Sequence, residues 1–204
     1  MKKYLGLILG VCSTICLSAQ PPDAWTEKDR TYLADNLRRS IDQINEATRN
    51  LSDAQWNFKP GPDKWSINQV VEHIAIWELL LQRDISLALS DSLKPELGKT
   101  AWPDSSTLGF IMEEKPHHSL DYTKPFSFTI PMGLNQGTKN LLWLQKLRKE
   151  DGEFVNSTKQ DLRAYYRGRG SESVHVLYIL IFGHADRHLR QIMKIKADPA
   201  FPSS

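Results

Sequence analysis

The chain predicts an all-α fold, a four-helix bundle. Three observations carry that prediction: apolar stripes with spacings of three and four, capping signals at helix starts, and proline- or glycine-rich connectors between them. The last stripe is the clearest. Val174, Leu177, Tyr178, Ile181, Ala185, Leu189, Ile192 and Ile195 line one helical face that should be buried. Four such helices, joined by two short-to-medium links and one long irregular loop between the second and third, close most naturally as a bundle.

Taken in order, residues 1–19 stand apart. Met1-Lys2-Lys3 is a short basic start, Tyr4 to Leu17 is almost wholly apolar, and Ser18-Ala19 supplies small residues before Gln20-Pro21-Pro22. This pattern predicts a secretory signal peptide whose apolar run is too short for a comfortable membrane span. A lipoprotein reading is weaker, because Val11 and Ile15 precede Cys12 and Cys16 where small residues are expected. The expected location is periplasmic or secreted, with no membrane span after cleavage. Residues 20–25 read as a flexible lead, 26–198 as the bundle domain and 199–204 as a tail.

Both cysteines lie in the leader, so a cleaved chain has neither a disulfide nor a thiol nucleophile. A domain of this size needs no such staple. Without Lys2 and Lys3, 24 basic side chains balance 24 acidic ones. That neutrality argues against a nucleic-acid binder, which draws its affinity from a basic face. Arg163, Arg167, Arg169, Arg187, Arg190 and Lys194 form a local excess, read as a solvated helix face.

Thr26 with Asp29 three residues on resembles a helix N-cap. Leu33, Leu37, Ile41, Ile44, Thr48 and Leu51 then predict a first helix of about 25 residues. Ser52 to Asp63, with Pro60-Gly61-Pro62, reads as a connector that Trp56 and Phe58 pack onto the bundle end. Ser66 and Gln69 spell a capping box, with Trp65 and Val70 placed as its hydrophobic staple. The second helix runs from there to about Ser90. Residues 91–133 are irregular, with a helical turn suggested at Leu108–Glu114 and a short strand at Phe126–Ile130. Thr138 to Glu150 predicts a third helix stopped by Asp151-Gly152. Gly168-Arg169-Gly170 then turns the chain, and Ser171 or Ser173 caps the last helix.

The residues that carry chemistry are histidines. His184 and His188 fall at i and i+4 beside the last stripe, which puts their Cβ atoms about 6 Å apart. Two imidazoles at that spacing can reach one cation through nitrogen–metal bonds of roughly 2.0–2.1 Å. His73 leans inward on the second helix, and bundle cores build metal sites from facing helices in this way. Three neutral nitrogen ligands leave a coordination position open on a divalent cation; zinc, nickel and iron are not distinguished. His175 reads as an ordinary core histidine. His117-His118 in the long loop reads as a surface pair or a weak alternative source of ligands.

The residues Leu51-Ser52-Asp53-Ala54-Gln55, Phe58-Lys59-Pro60, Lys64-Trp65-Ser66-Ile67, Val70-Val71-Glu72-His73-Ile74 and the closing His184-xxx-His188-xx-Gln191 resemble a known family. It is the DinB-like (DinB/YfiT-type) superfamily of metal-binding four-helix bundles. The resemblance spans nearly all of the mature chain and is faint between residues 91 and 170. It implies a divalent metal held by His73, His184 and His188; members include thiol transferases and thiol-dependent isomerases.

A metal in such a site polarises a substrate oxygen or activates water, which predicts a metal-dependent hydrolase or transferase acting on a small molecule. The alternative is a non-catalytic metal-binding or stress-response bundle. A homodimer stays open. No general base stands out. Glu72 and Glu78 lie about 100° and 140° around the helix from His73, and Asp186 points to the opposite face from the paired histidines. Asp104, Glu113, Glu114, Asp121 and Tyr122 in the loop are candidates without a spacing to choose among them. Trp77 could wall the cavity or pack the core, and Gln191 could orient His188 or simply end the stripe.

Overall fold

The structure is a computed structural model describing residues 25–113, 130–168 and 172–203. The predicted leader and most of the lead lie outside the described residues. So do Glu114, His117, His118, Asp121, Tyr122, Phe126–Thr129 of the expected strand, Arg169, Gly170 and Ser171. Among the described residues there are six α-helices: α1 Glu27–Thr48, α2 Asp53–Asn57, α3 Ile67–Leu89, α4 Asp104–Met112, α5 Thr138–Ser157 and α6 Val174–Lys196. A 3-10 helix spans Pro95–Thr100. Among the described residues no helix is long and apolar enough to cross a membrane.

The long helices α1, α3, α5 and α6 make the bundle, in the ring order α1–α5–α3–α6. Early residues of α1 and α6 share one core cluster with late residues of α3 and α5; the other ends share a second. So α1 and α6 run one way, and α3 and α5 the other. This arrangement explains the long connection. Neighbouring parallel helices need a return path, and α3 at 1.5 Å per residue is about 35 Å long. The segment between α3 and α5 makes that return, carrying α4, which packs along α6.

Local chemistry sets the helix starts. Thr26 with Asp29, Ser52 with Gln55 and Ser66 with Gln69 each form a reciprocal capping box. Ser173 caps α6 by accepting from the Val176 N–H. Gly137 precedes α5 at φ 48°, a conformation side chains avoid, and donates its N–H to Asn68 Oδ1 at 2.7 Å.

Several expectations are corrected. α1 ends at Thr48, and Leu51 lies beyond it, after Asn50 at φ 56°. The connector holds the one-and-a-half-turn helix α2, which buries Trp56. The loop holds α4, starting before the expected turn. α5 runs through Gly152 to Ser157, because Val155 is fully buried and Arg30 donates to the last carbonyls, Val155 and Thr158. Burial and capping there outweigh the cost of about 1 kcal/mol for a mid-helix glycine.

The basic cluster is not merely solvated. Arg187 donates to the carbonyls of Ile111 and Glu113, and Arg190 to that of Met112, so both cap the C-terminus of α4. Arg167 pairs with Asp84 and Glu172, and Arg163 with Asp29 and Asp104. α4 can lie this close to α6 because residue 183 is glycine; a Cβ there would stand 2.7 Å from Ile111 Cγ2.

Between the two core clusters lies a buried ion pair. Arg148 on α5 grips Glu78 on α3 with two hydrogen bonds of 2.8 and 2.7 Å, and also donates to Leu37 O and Ser40 Oγ on α1. The side chains are 3% and 1% exposed. Burial and the Glu78 charge push the neighbouring Asp151 well above the usual carboxylate range. Asp151 Oδ2 finds no hydrogen-bond partner among the described residues, which a neutral carboxyl tolerates better than a carboxylate. Arg148→Met is expected to cost about 3–5 kcal/mol in urea unfolding by stranding Glu78, and Glu78→Leu/Arg148→Met to restore most of it. Equal losses in single and double variants would contradict this.

Candidate metal centre

The capping box at Ser66 and the anchors Val70, Val71 and Ile74, all buried, fix the start and rotation of α3. His73, on the next turn, is thereby turned toward α6. On α6 the stripe is buried except for Leu189, which is partly exposed, and it holds His184 and His188 on the face toward α3. The structure brings the three histidines together. Each offers a ligand atom, and these atoms all lie within 4.8 Å of one another. His184 Nε2 and His188 Nε2 are 3.0 Å apart. Ring centroids are separated by 5.1 Å for His73–His184, 4.7 Å for His73–His188 and 4.4 Å for His184–His188.

This donor set fits a divalent cation. Two nitrogens bound at roughly 2.0–2.1 Å stand about 3.0–3.4 Å apart, depending on the angle at the metal. Gln191 Oε1 lies 2.8 Å from His188 Nδ1. Accepting the Nδ1 proton, Gln191 leaves the lone pair on Nε2, the atom that faces the other two rings. Burial, then the neighbouring His73 and Arg187 charges, bring His188 down to about 3 against the pull of Gln191. The ring is neutral at physiological pH, as a ligand must be.

Two indoles flank the histidines. Trp65 lies 4.8 Å from His73 and Trp77 5.4 Å from His184, ring centre to ring centre. Trp77 both packs on the core and walls the site. Among the described residues no aspartate or glutamate joins the three histidines. Glu72 is fully buried and occupied elsewhere, accepting the N–H groups of Met132, Gly133 and Leu134 at 2.9, 3.1 and 3.0 Å. It clasps the end of the long connection onto α3. Asp186 pairs with Arg39 on the outer face, as its position predicts.

Asp104, a candidate base from the sequence, belongs to a second polar cluster. His175 is buried there: Trp25 donates its indole N–H to Nδ1 at 3.1 Å, and Nε2 lies 3.1 Å from Asp104 Oδ2. Arg163 Nη2 also lies 2.9 Å from His175 Nε2, so Asp104, Arg163 and His175 form one polar cluster. Burial opposes ionisation of Asp104, but the hydrogen bonds from His175 and Arg163 prevail and hold it well below the usual carboxylate range. Its role is to pin the start of α4. Sequence reasoning missed the Glu72 clasp and the bed for α4 at Gly183; a glycine amid the bulky residues of the last helix was the available signal for the latter.

The sequence profile of the DinB superfamily matches residues 36–192, which takes in the later part of α1 and all three histidines. The chain belongs to the DinB superfamily. Among solved structures, this DinB-superfamily chain is similar to YfiT from Bacillus subtilis, described as "a probable metal-dependent hydrolase with an unusual four-helix bundle topology". The TM-score is 0.55 at 15% identity, over 87% of this chain and 91% of that one, a likeness of fold. None of the curated proteins matches the chain.

The metal-free protein should lose stability as the pH falls. The unfolded His188 binds its proton near 6.5 and the folded one only near 3. Stability is therefore full above about 6.5 and declines toward pH 3, by up to about 1.4 kcal/mol per pH unit. Urea unfolding of wild type and His188→Leu between pH 7 and 4 checks this; an equal slope in the variant would contradict it.

Proposed function

We propose that His73, His184 and His188 hold a divalent metal ion and that the protein is a metal-dependent hydrolase or transferase acting on a small molecule outside the cytoplasm. One observation carries the reading: three imidazoles from two helices, two of them buried, meet at ligand spacing with Gln191 orienting one of them. A partner of such a kind explains why a bundle core carries three nitrogens where apolar side chains would pack more cheaply. The description of YfiT as a probable metal-dependent hydrolase supports the same reading.

When bound, the cation supplies Lewis-acid activation of a carbonyl or of water. The chain's own residues supply the rest. Gln191 fixes the tautomer and tilt of His188. Trp65 and Trp77 keep water from the sides of the histidines. The residues at the N-terminus support export, since a basic start, an apolar run and Ser18-Ala19 read as a cleavable leader.

The untagged protein should contain about one equivalent of divalent metal, and His184→Ala or His188→Ala should lower its metal affinity about 10–100-fold or more. Metal analysis paired with thermal melting separates an enzyme from a bundle that its metal merely holds together. Lost metal with a small change in Tm supports the enzyme, and a collapse of Tm supports the structural alternative. No metal in any divalent-supplemented preparation would sink both. Export is checked by the mass of the protein recovered outside the cytoplasm, expected to begin near Gln20; an intact leader would refute it.

A further inference from the structure

The walls and the charge of the histidine site point to the class of ligand it takes, an inference that rests on the metal reading above. Trp65 and Trp77 stand beside the three histidines, at 4.8 Å from His73 and 5.4 Å from His184. Each packs against one of the two core clusters and keeps part of its surface exposed, whereas His73 and His188 are buried. Two partly exposed indoles therefore adjoin the buried histidines, Trp65 placed by the start of α3 and Trp77 by the helix itself. Indole faces grip flat apolar groups by stacking.

The electrostatics add a second constraint. Three imidazoles bring no negative charge to a bound cation, and among the described residues no carboxylate joins them. Glu72 is held by three backbone N–H groups, Glu78 by Arg148 and Asp186 by Arg39. Arg187, next to His188 in sequence, adds positive charge to its surroundings. Among the described residues nothing would compensate the charge of a divalent cation here. In a partly desolvated site that charge favours an anionic donor.

We infer that the site binds organic anions in which the donor oxygens sit beside an aromatic ring, with Trp65 and Trp77 as the residues that select the ring. Neither indole touches the reacting atoms in this assignment; both determine specificity.

The test uses the full chain loaded with zinc and titrated with acetohydroxamate, benzohydroxamate and benzylamine by calorimetry. Benzohydroxamate should bind about tenfold more tightly than acetohydroxamate, the order that ring stacking supplies. Benzylamine, which has the ring and the opposite charge, should not compete. Trp65→Leu and Trp77→Leu should each shrink the preference to about threefold or less while zinc content stays unchanged. Equal affinity of the two hydroxamates for wild type would overturn the assignment without any variant having to fold. An unaltered preference in both variants, or competition by benzylamine, would overturn it as well. Failure of the wild type to take up zinc would bring down the metal reading with it; uptake without discrimination brings down this inference alone.

Discussion

Arg148 sets the register of the bundle. From α5 it holds Glu78 of α3 in a two-pronged grip and reaches Leu37 and Ser40 on α1, so three of the four long helices meet at one height. The arrangement is costly to bury and strict in geometry; a slip of one turn on any helix would leave a desolvated charge unmatched. Apolar side chains alone would tolerate several such slips. His73 lies five residues before Glu78, on the same helix, and its height beside α6 is fixed by the same contact. The histidine site thus inherits its precision from a pair that contributes nothing to its chemistry.

Several polar groups of the core are answered by a specific partner, within the same helix for His188 and from another element for Glu72 and His175. His188 is answered by Gln191 and by His184, Glu72 by the backbone of residues 132–134, and His175 by Trp25 and Asp104. These partners divide the labour. Asp104, Arg163, Arg187 and Arg190 hold α4 at both ends, while Glu72 and Asn68 hold the segment before α5. Among the described residues, only at the three histidines do ligand-type atoms from facing helices converge without an oppositely charged side chain among them. That contrast sets the site apart from the structural clusters.

The long helices and the histidine site were legible because their signals are local and periodic. Ser66 and Gln69 mark the start of α3 within four residues, and His184 and His188 announce a shared face by spacing alone. That His73 faces them across the bundle needed inward lean on one helix and the family resemblance besides. What stayed hidden depends on distant partners. Gly152 reads as a stop until Val155 is seen to be buried and Arg30 to cap the helix end. α4 carries Gly109 and little amphipathic pattern, and owes its place to Gly183 and to arginines more than seventy residues away. α2 is too short for any period, although Ser52 and Gln55 spelled its cap. The arginines looked solvated because the carbonyls they serve lie in another part of the chain.

The ring order α1–α5–α3–α6 has a consequence for how the molecule comes together. The two long helices of the N-terminal half face each other across the diagonal, and so do the two of the C-terminal half. Neither half is a hairpin, and each finds its lateral neighbours almost wholly in the other. A nascent chain that has released only α1 and α3 holds no stable unit and waits for its second half to emerge. Cutting the chain between α3 and α5 would yield two fragments that are each obliged to complement the other, and each would carry part of the histidine cluster.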